Sequence, residues 1–131
     1  MITEDILANV EIPGPVPVYL QIERRIQYAI ASERLRPGDK LPAVRELAES
    51  MGVTLATVAR AYRELEVLES AYARRGLGAF VAPGAPEKCR AACRDRVGRG
   101  LQGVVADAAL AGLEPGEIYA IARECYTVSG D

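Results

Sequence analysis

Val18, Tyr19, Ile22, Ile26, Ala29 and Ile30 recur at three- and four-residue steps, and Gln21, Glu23, Arg24, Arg25 and Gln27 fall between them. That period predicts an amphipathic helix over about 17–33. A second stripe follows from Ala43, with Val44, Leu47, Ala48 and Met51 on one face and Arg45, Glu46 and Glu49 on the other. Gly52 comes directly after its last apolar position, where a left-handed C-terminal cap suits glycine, and Val53 is expected to turn inward behind it. A third stripe opens at Thr54, whose hydroxyl is a natural helix cap. Val58, Ala61, Tyr62 and Leu65 would face the core, with Leu68 as a candidate last member, while Thr57, Arg60, Arg63 and Glu64 face solvent.

Other patterns separate these helices. "EIPGPVP" before the first cannot be helix interior and reads as a stiff lead-in. "RPGDKLP" is a turn that ends the first helix. "AYARRGLGAFV" alternates and carries a Gly-x-Gly tip, the mark of a β-hairpin with basic residues beside its turn. After a hinge at Pro83, Gly84 and Pro86, the positions Cys89, Cys93, Val97, Leu101, Val104 and Ala108 form the stripe of a long helix that Gly112 ends. Pro115 can open a last helix with Ile118, Ile121, Ala122 and Cys125 on its apolar face.

Length and composition fit this picture. The chain has 131 residues, 50% of them hydrophobic and 26% charged, enough for one folded domain or one domain with an appendage. No apolar run approaches the roughly 18 residues of a membrane span, and "MITEDILANVEIPG" carries acids where a signal peptide carries bases. A cytoplasmic protein without membrane contact is expected. Histidine is absent, which excludes Ser-His-Asp and Cys-His catalysis. No GxxxxGK[ST] or GxGxxG string occurs, so neither an enzyme nor a bound cofactor is expected. The net charge of −2 argues against a uniformly basic coat, but says nothing about charges gathered on one face.

Helix, turn, helix, helix and basic hairpin in that order is the plan of a winged helix-turn-helix, a mostly α fold with a small β-wing. Its third helix suits the DNA major groove. "PVYLQIERRIQYAIASERLRPGDKLPAVRELAESMGVTLATVARAYRELE", followed by Arg74-Arg75-Gly76 and Gly78, Phe80 and Val81 in the hairpin, resembles the DNA-binding half of the GntR family of bacterial transcription regulators. The resemblance covers residues 16–82, after a lead-in of 1–15. Residues 84–131 resemble the short tail of the YtrA subfamily, which serves dimerisation; members of that subfamily often repress operons for membrane transporters.

Carried over position by position, the resemblance implies that Arg45 contacts a phosphate or a guanine, since its planar fork suits either. Thr54 and Thr57 match hydroxyl positions at the front of the recognition helix, Arg60 matches a basic position further along it, and Arg75, Gly76 and Gly78 match the wing tip. Leu55 stands where many relatives carry an arginine or proline, and Ala56 and Ala59 replace other polar residues, which implies sparse base reading aided by Arg45, the wing and DNA shape, with Leu55 against a thymine methyl. Ala43 replaces a capping serine, a loss on the order of 1 kcal/mol. Glu69, Ser70 and Ala71 replace a Gly-Leu-Ile stop, so the third helix is expected to run on and the first wing strand to be weak.

The family reading implies a homodimer on double-stranded DNA, paired through residues 84–131, with a roughly palindromic operator. Gly98, Gly100 and Gly103, each costing about 1 kcal/mol in a helix relative to alanine, fit a close dimer seam. So short a tail leaves little room for an effector pocket of roughly 300 Å³, and the seam is where one would bind. Lys88, Arg90, Arg94, Arg96 and Arg99 form either an auxiliary DNA-backbone strip or a solvated face. Two other functions stand beside regulation by DNA binding. The apolar Leu55, Ala56, Ala59 and Leu77 would suit a winged helix turned to protein interaction, and Cys89, Cys93 and Cys125 would suit a metal or redox sensor, against which stands the ordinary burial of free cysteine.

Overall fold

The computed structural model describes residues 6, 7, 10, 11 and 14–129. In chain order they form helix α1 (Val18–Ala31), helix α2 (Val44–Met51), helix α3 (Leu55–Val67), strand β1 (Ala71–Arg74), strand β2 (Gly78–Val81), helix α4 (Ala85–Leu110) and helix α5 (Pro115–Ser129). The chain divides into two compact units, Met1–Cys93 and Arg94–Asp131.

In the first unit α1, α2 and β1 all pack on α3. Ile22, Ile30, Leu35, Leu41, Leu47, Val58, Leu65 and Val81 are fully buried there. Each such side chain contributes about 1.5–3 kcal/mol of apolar burial as an upper estimate. The helical period held for the apolar face of α1 but not for all of its polar one: Glu23 and Gln27 are buried among the core residues rather than facing solvent. Leu68 is the reverse case, since the helix ends before it and leaves it 45% exposed. The lead-in also does more than stiffen the entry. Ile6 is buried in the core and Leu7 packs against it.

The junction after α3 overturns the expectation that the helix runs on. α3 stops at Val67 because Glu69 takes a left-handed conformation, φ 60°, in place of glycine. Its N–H donates to the Glu66 carbonyl and the Ser70 N–H to the Leu65 carbonyl, the paired bonds of a glycine-type helix stop. Ser70 and Ala71 are then buried, and the Lys88 ammonium pairs with the Glu69 carboxylate. The same two bonds end α2 at Gly52, φ 69°, and end α1 at Glu33, φ 64°.

Nor is the first wing strand weak. β1 and β2 are antiparallel, with Ala71 opposite Val81 and Arg74 opposite Gly78, and Tyr72 stacks on Phe80 at 5.8 Å between ring centroids. "RPGDKLP" adds to them. The Leu41 N–H donates to the Ala79 carbonyl and the Val81 N–H to the Asp39 carbonyl, so the chain before α2 closes the far edge of β2. Pairing on both sides of β2 is what a two-stranded ribbon alone would lack.

α4 begins at Ala85, which puts Pro86 in its first turn, where a missing N–H goes unused, rather than in a hinge. Pro115 opens α5, and the Glu117 carboxylate accepts from the Glu114 N–H at 2.9 Å, half of a capping box. The second unit is thinly covered: Ala108 is buried, while Val97, Leu101, Val104 and Ile121 stand exposed.

Candidate nucleic-acid interface

The candidate recognition element is α3. Thr54 caps it in an extended conformation, its Oγ1 accepting from the Thr57 N–H at 3.2 Å, and the two hydroxyls lie 2.9 Å apart. One threonine therefore fixes where the helix starts, and the other repeats a hydroxyl one turn on. Behind them Val58, Ala61, Tyr62 and Leu65 lock the opposite face into the core. The Tyr62 hydroxyl donates to the Pro42 carbonyl at 2.6 Å, tying α3 to the start of α2. Burial, reinforced by the Glu46 carboxylate, pushes the Tyr62 phenol well above its usual range, so it stays a donor at any physiological pH.

Arg45 stands exposed in the first turn of α2. Ala43, before it, supplies no side-chain cap, as its methyl predicts. Arg60 is exposed on α3, and its guanidinium lies over the Tyr19 ring at 3.8 Å from the centroid. Thr57 and Arg60 line one open depression together with Val18, Tyr19 and Ala56. Arg75 and Gly76 sit in the hairpin turn and Gly78 directly after it. Gly76 and Gly78 have φ of 77° and 109°, values that side-chain-bearing residues rarely adopt, so this turn requires both glycines. Leu77 between them is half exposed, as is Leu55 at the front of α3.

Two residues near these positions were not legible as interface candidates. Tyr19 belonged to the apolar stripe of α1, yet it is only partly buried and carries Arg60 on its ring. Nothing in the spacing links residue 19 to residue 60. Lys40 stood in a turn, but pairing with Phe80 brings its side chain alongside Gly78, with Cε 3.0 Å from where a β-carbon would stand.

The cysteines are dispersed in environment: Cys89 is buried, Cys93 half-buried and Cys125 exposed. Among the described residues no group of three His, Cys, Asp or Glu side chains is placed to hold a metal ion. The Cys89 thiol donates to Ser70 Oγ at 3.4 Å, and burial holds its pKa above the usual thiol range, the opposite of a reactive thiolate. No helix among the described residues is long and apolar enough to cross a membrane.

A family model described as bacterial regulatory proteins, gntR family, matches residues 18–81. The chain is 47% identical over 66 residues to the uncharacterized HTH-type transcriptional regulator YhcF of Bacillus subtilis, a match over 50% of this chain and 54% of that protein. It thus spans about half the length of that relative. It is 31% identical over 108 residues to the HTH-type transcriptional repressor YtrA of Bacillus subtilis, over 82% of this chain and 83% of YtrA. A GntR family transcriptional regulator from Listeria monocytogenes has the same fold, with a TM-score of 0.70 and 29% identity over 84% of this chain and 96% of that one. The DNA-binding domain of AraR, solved in complex with operator ORX1, aligns with 53% of this chain and 89% of its own at 31% identity and a TM-score of 0.50. With the capped recognition helix and glycine-turned wing already described, these matches establish that the chain belongs to the GntR family of bacterial regulatory proteins, winged-helix DNA-binding transcription regulators and not enzymes.

Proposed function

We propose that this chain is a cytoplasmic, sequence-specific transcription regulator that binds a roughly palindromic operator as a homodimer and acts as a repressor, with a transporter operon as the candidate target. The observation that carries the reading is α3 itself. It is locked into the core on one face and capped by Thr54, and it presents Thr57 and Arg60 on the other, beside a wing whose two glycines turn Arg75 outward. Such a helix suits the major groove. The likeness to a DNA-binding domain solved on its operator supports the same use.

In this reading Arg45 binds a phosphate or a guanine, Thr54 and Thr57 meet the groove at the front of α3, and Arg60 adds charge behind them. Arg75 reaches the duplex from the wing, where Gly76 and Gly78 let backbone approach closely. Residues 84–131 pair the protomers. The support for pairing is the exposed apolar stripe Val97, Leu101 and Val104, which a second copy would cover.

Selection of bound fragments from a randomised DNA library, followed by titration of the winner across salt with wild type and Arg45→Ala, tests it. A palindromic motif, a steep fall of affinity with salt and a loss of about tenfold or more in the variant are expected. If no motif is enriched and Arg45→Ala binds like wild type, the half-exposed Leu55 and Leu77 make a protein-docking module the better reading.

A further inference from the structure

We propose that Tyr19 is a positioning residue for DNA binding: its ring holds the Arg60 guanidinium so that this arginine meets a backbone phosphate rather than a base edge. The inference rests on the DNA-binding reading above and adds to it a residue from α1 and an assignment for Arg60.

Arginine–ring pairs among the described residues differ in distance, and that of Arg60 and Tyr19 is in close stacking range. Arg25 lies 5.7 Å from the Tyr28 centroid and Arg74 5.7 Å from that of Phe80, whereas Arg60 lies 3.8 Å from that of Tyr19. A guanidinium that stacks on a ring at this distance leaves the N–H donors in its plane free for other acceptors. That is the fork a phosphate takes in two parallel hydrogen bonds. The two partners are also unequal. Tyr19 packs against the core and is held by the fold, while Arg60 is an exposed, flexible side chain. The ring therefore confines the arginine, and the arginine arrives at DNA with less freedom left to lose.

The direction of the stack decides between phosphate and base. Bases are read chiefly by the N-terminal residues of a recognition helix. Arg60 is in the second turn of α3, behind Thr54 and Thr57, and it is drawn toward the first turn of α1. Arg60 and Tyr19 share a depression there with Val18, Ala56 and Thr57. An arginine tethered there reaches the strand that flanks the groove, not the groove floor.

The test is a double-mutant cycle on the full chain, read by fluorescence anisotropy on the selected operator and on unrelated duplex DNA across salt. Tyr19→Met should weaken both DNAs alike by about three- to tenfold. In an Arg60→Ala background the same change should have little further effect, and Tyr19→Phe, which keeps the ring, should stay within about twofold of wild type. Arg60→Ala should lower the salt slope by about one and leave base preference unchanged. Thermal melts establish that each variant is folded at the assay temperature, and Tyr19→Leu replaces the methionine variant if it is not.

A Tyr19→Met loss that persists in full without Arg60, a neutral Tyr19→Met, or relaxed preference at one base pair in Arg60→Ala would each overturn the proposal. Arg45→Ala separates the two failures. If it weakens operator binding while Tyr19→Met does not, only the Tyr19 role falls. If wild type shows no sequence preference and Arg45→Ala matches it, the DNA-binding reading falls and takes this one with it.

Discussion

In the winged unit Ile22, Ile26, Ile30, Leu47, Val58 and Leu65 close on one another and none is more than 2% exposed, whereas in the tail Val97, Leu101, Val104 and Ile121 stand 46–66% exposed. Both units are made of amphipathic helices with apolar residues at three- and four-residue steps. They differ in what covers the stripe. α3 has α1, α2 and β1 around it, enough surface to exclude water from every apolar position on its inner face. From Arg94 onward the two helices bury Ala108 and leave most of their large apolar residues open. One unit closes its own core, and the other leaves an apolar surface that the proposed homodimer would cover.

The largest contrast should come from truncating one leucine in each unit. Leu65→Ala leaves a cavity in a closed core and is expected to cost about 2–5 kcal/mol at any protein concentration. Leu101→Ala should change the winged unit's stability by no more than ~0.5 kcal/mol, and its effect should appear only as a weaker rise of Tm with concentration. Equal, concentration-independent losses would erase the distinction.

Next in size is a charge placed on the tail stripe. Leu101→Glu would set carboxylates in the proposed seam and should weaken dimerisation by roughly 100-fold, about 3 kcal/mol, as seen by analytical ultracentrifugation. The melting of the winged unit should hardly move. A dimer of unchanged affinity would place the pairing surface elsewhere.

The smallest effect probes the helix stops inside the winged unit. Glu33 occupies a left-handed position that glycine fills at Gly52, so Glu33→Gly should stabilise by up to ~1 kcal/mol in chemical denaturation, the relief of strain outweighing glycine's greater freedom when unfolded. Glu69→Gly should gain less, because it also removes the ion pair with Lys88. That pair holds the Glu69 carboxyl below the usual range, so its contribution is present above the unfolded pKa and is lost as pH falls through the lower folded value. A larger gain at Glu69 than at Glu33 would show that Lys88 adds nothing.

Much of the fold was legible in the chain because its signals are local. The three stripes, the Thr54 cap, the Gly52 stop and the Gly-x-Gly turn each depend on neighbours within a few residues, and each element formed where those signals lie. Legibility failed where the deciding partner is far away in sequence. Glu69 reads as a poor stop because the compensation lies in Lys88 and in burial of Ser70 beside Cys89. Lys40 reads as turn because its partner strand comes some forty residues later. Among the candidate site residues, Thr54 and Thr57 lie side by side as helical spacing requires, while the ring beneath Arg60 had no signal at all.

The sequence by itself determined the order of elements, the apolar faces of the helices and the absence of histidine chemistry, since residue type and short-range spacing suffice for these. Only the tertiary structure decided that the segment before α2 closes the wing, that a glutamate can end α3, and that Tyr19 carries Arg60. It also decided which apolar stripe is closed and which stays open. These depend on contacts across dozens of residues, whose free energies are set by packing and burial that no local pattern encodes.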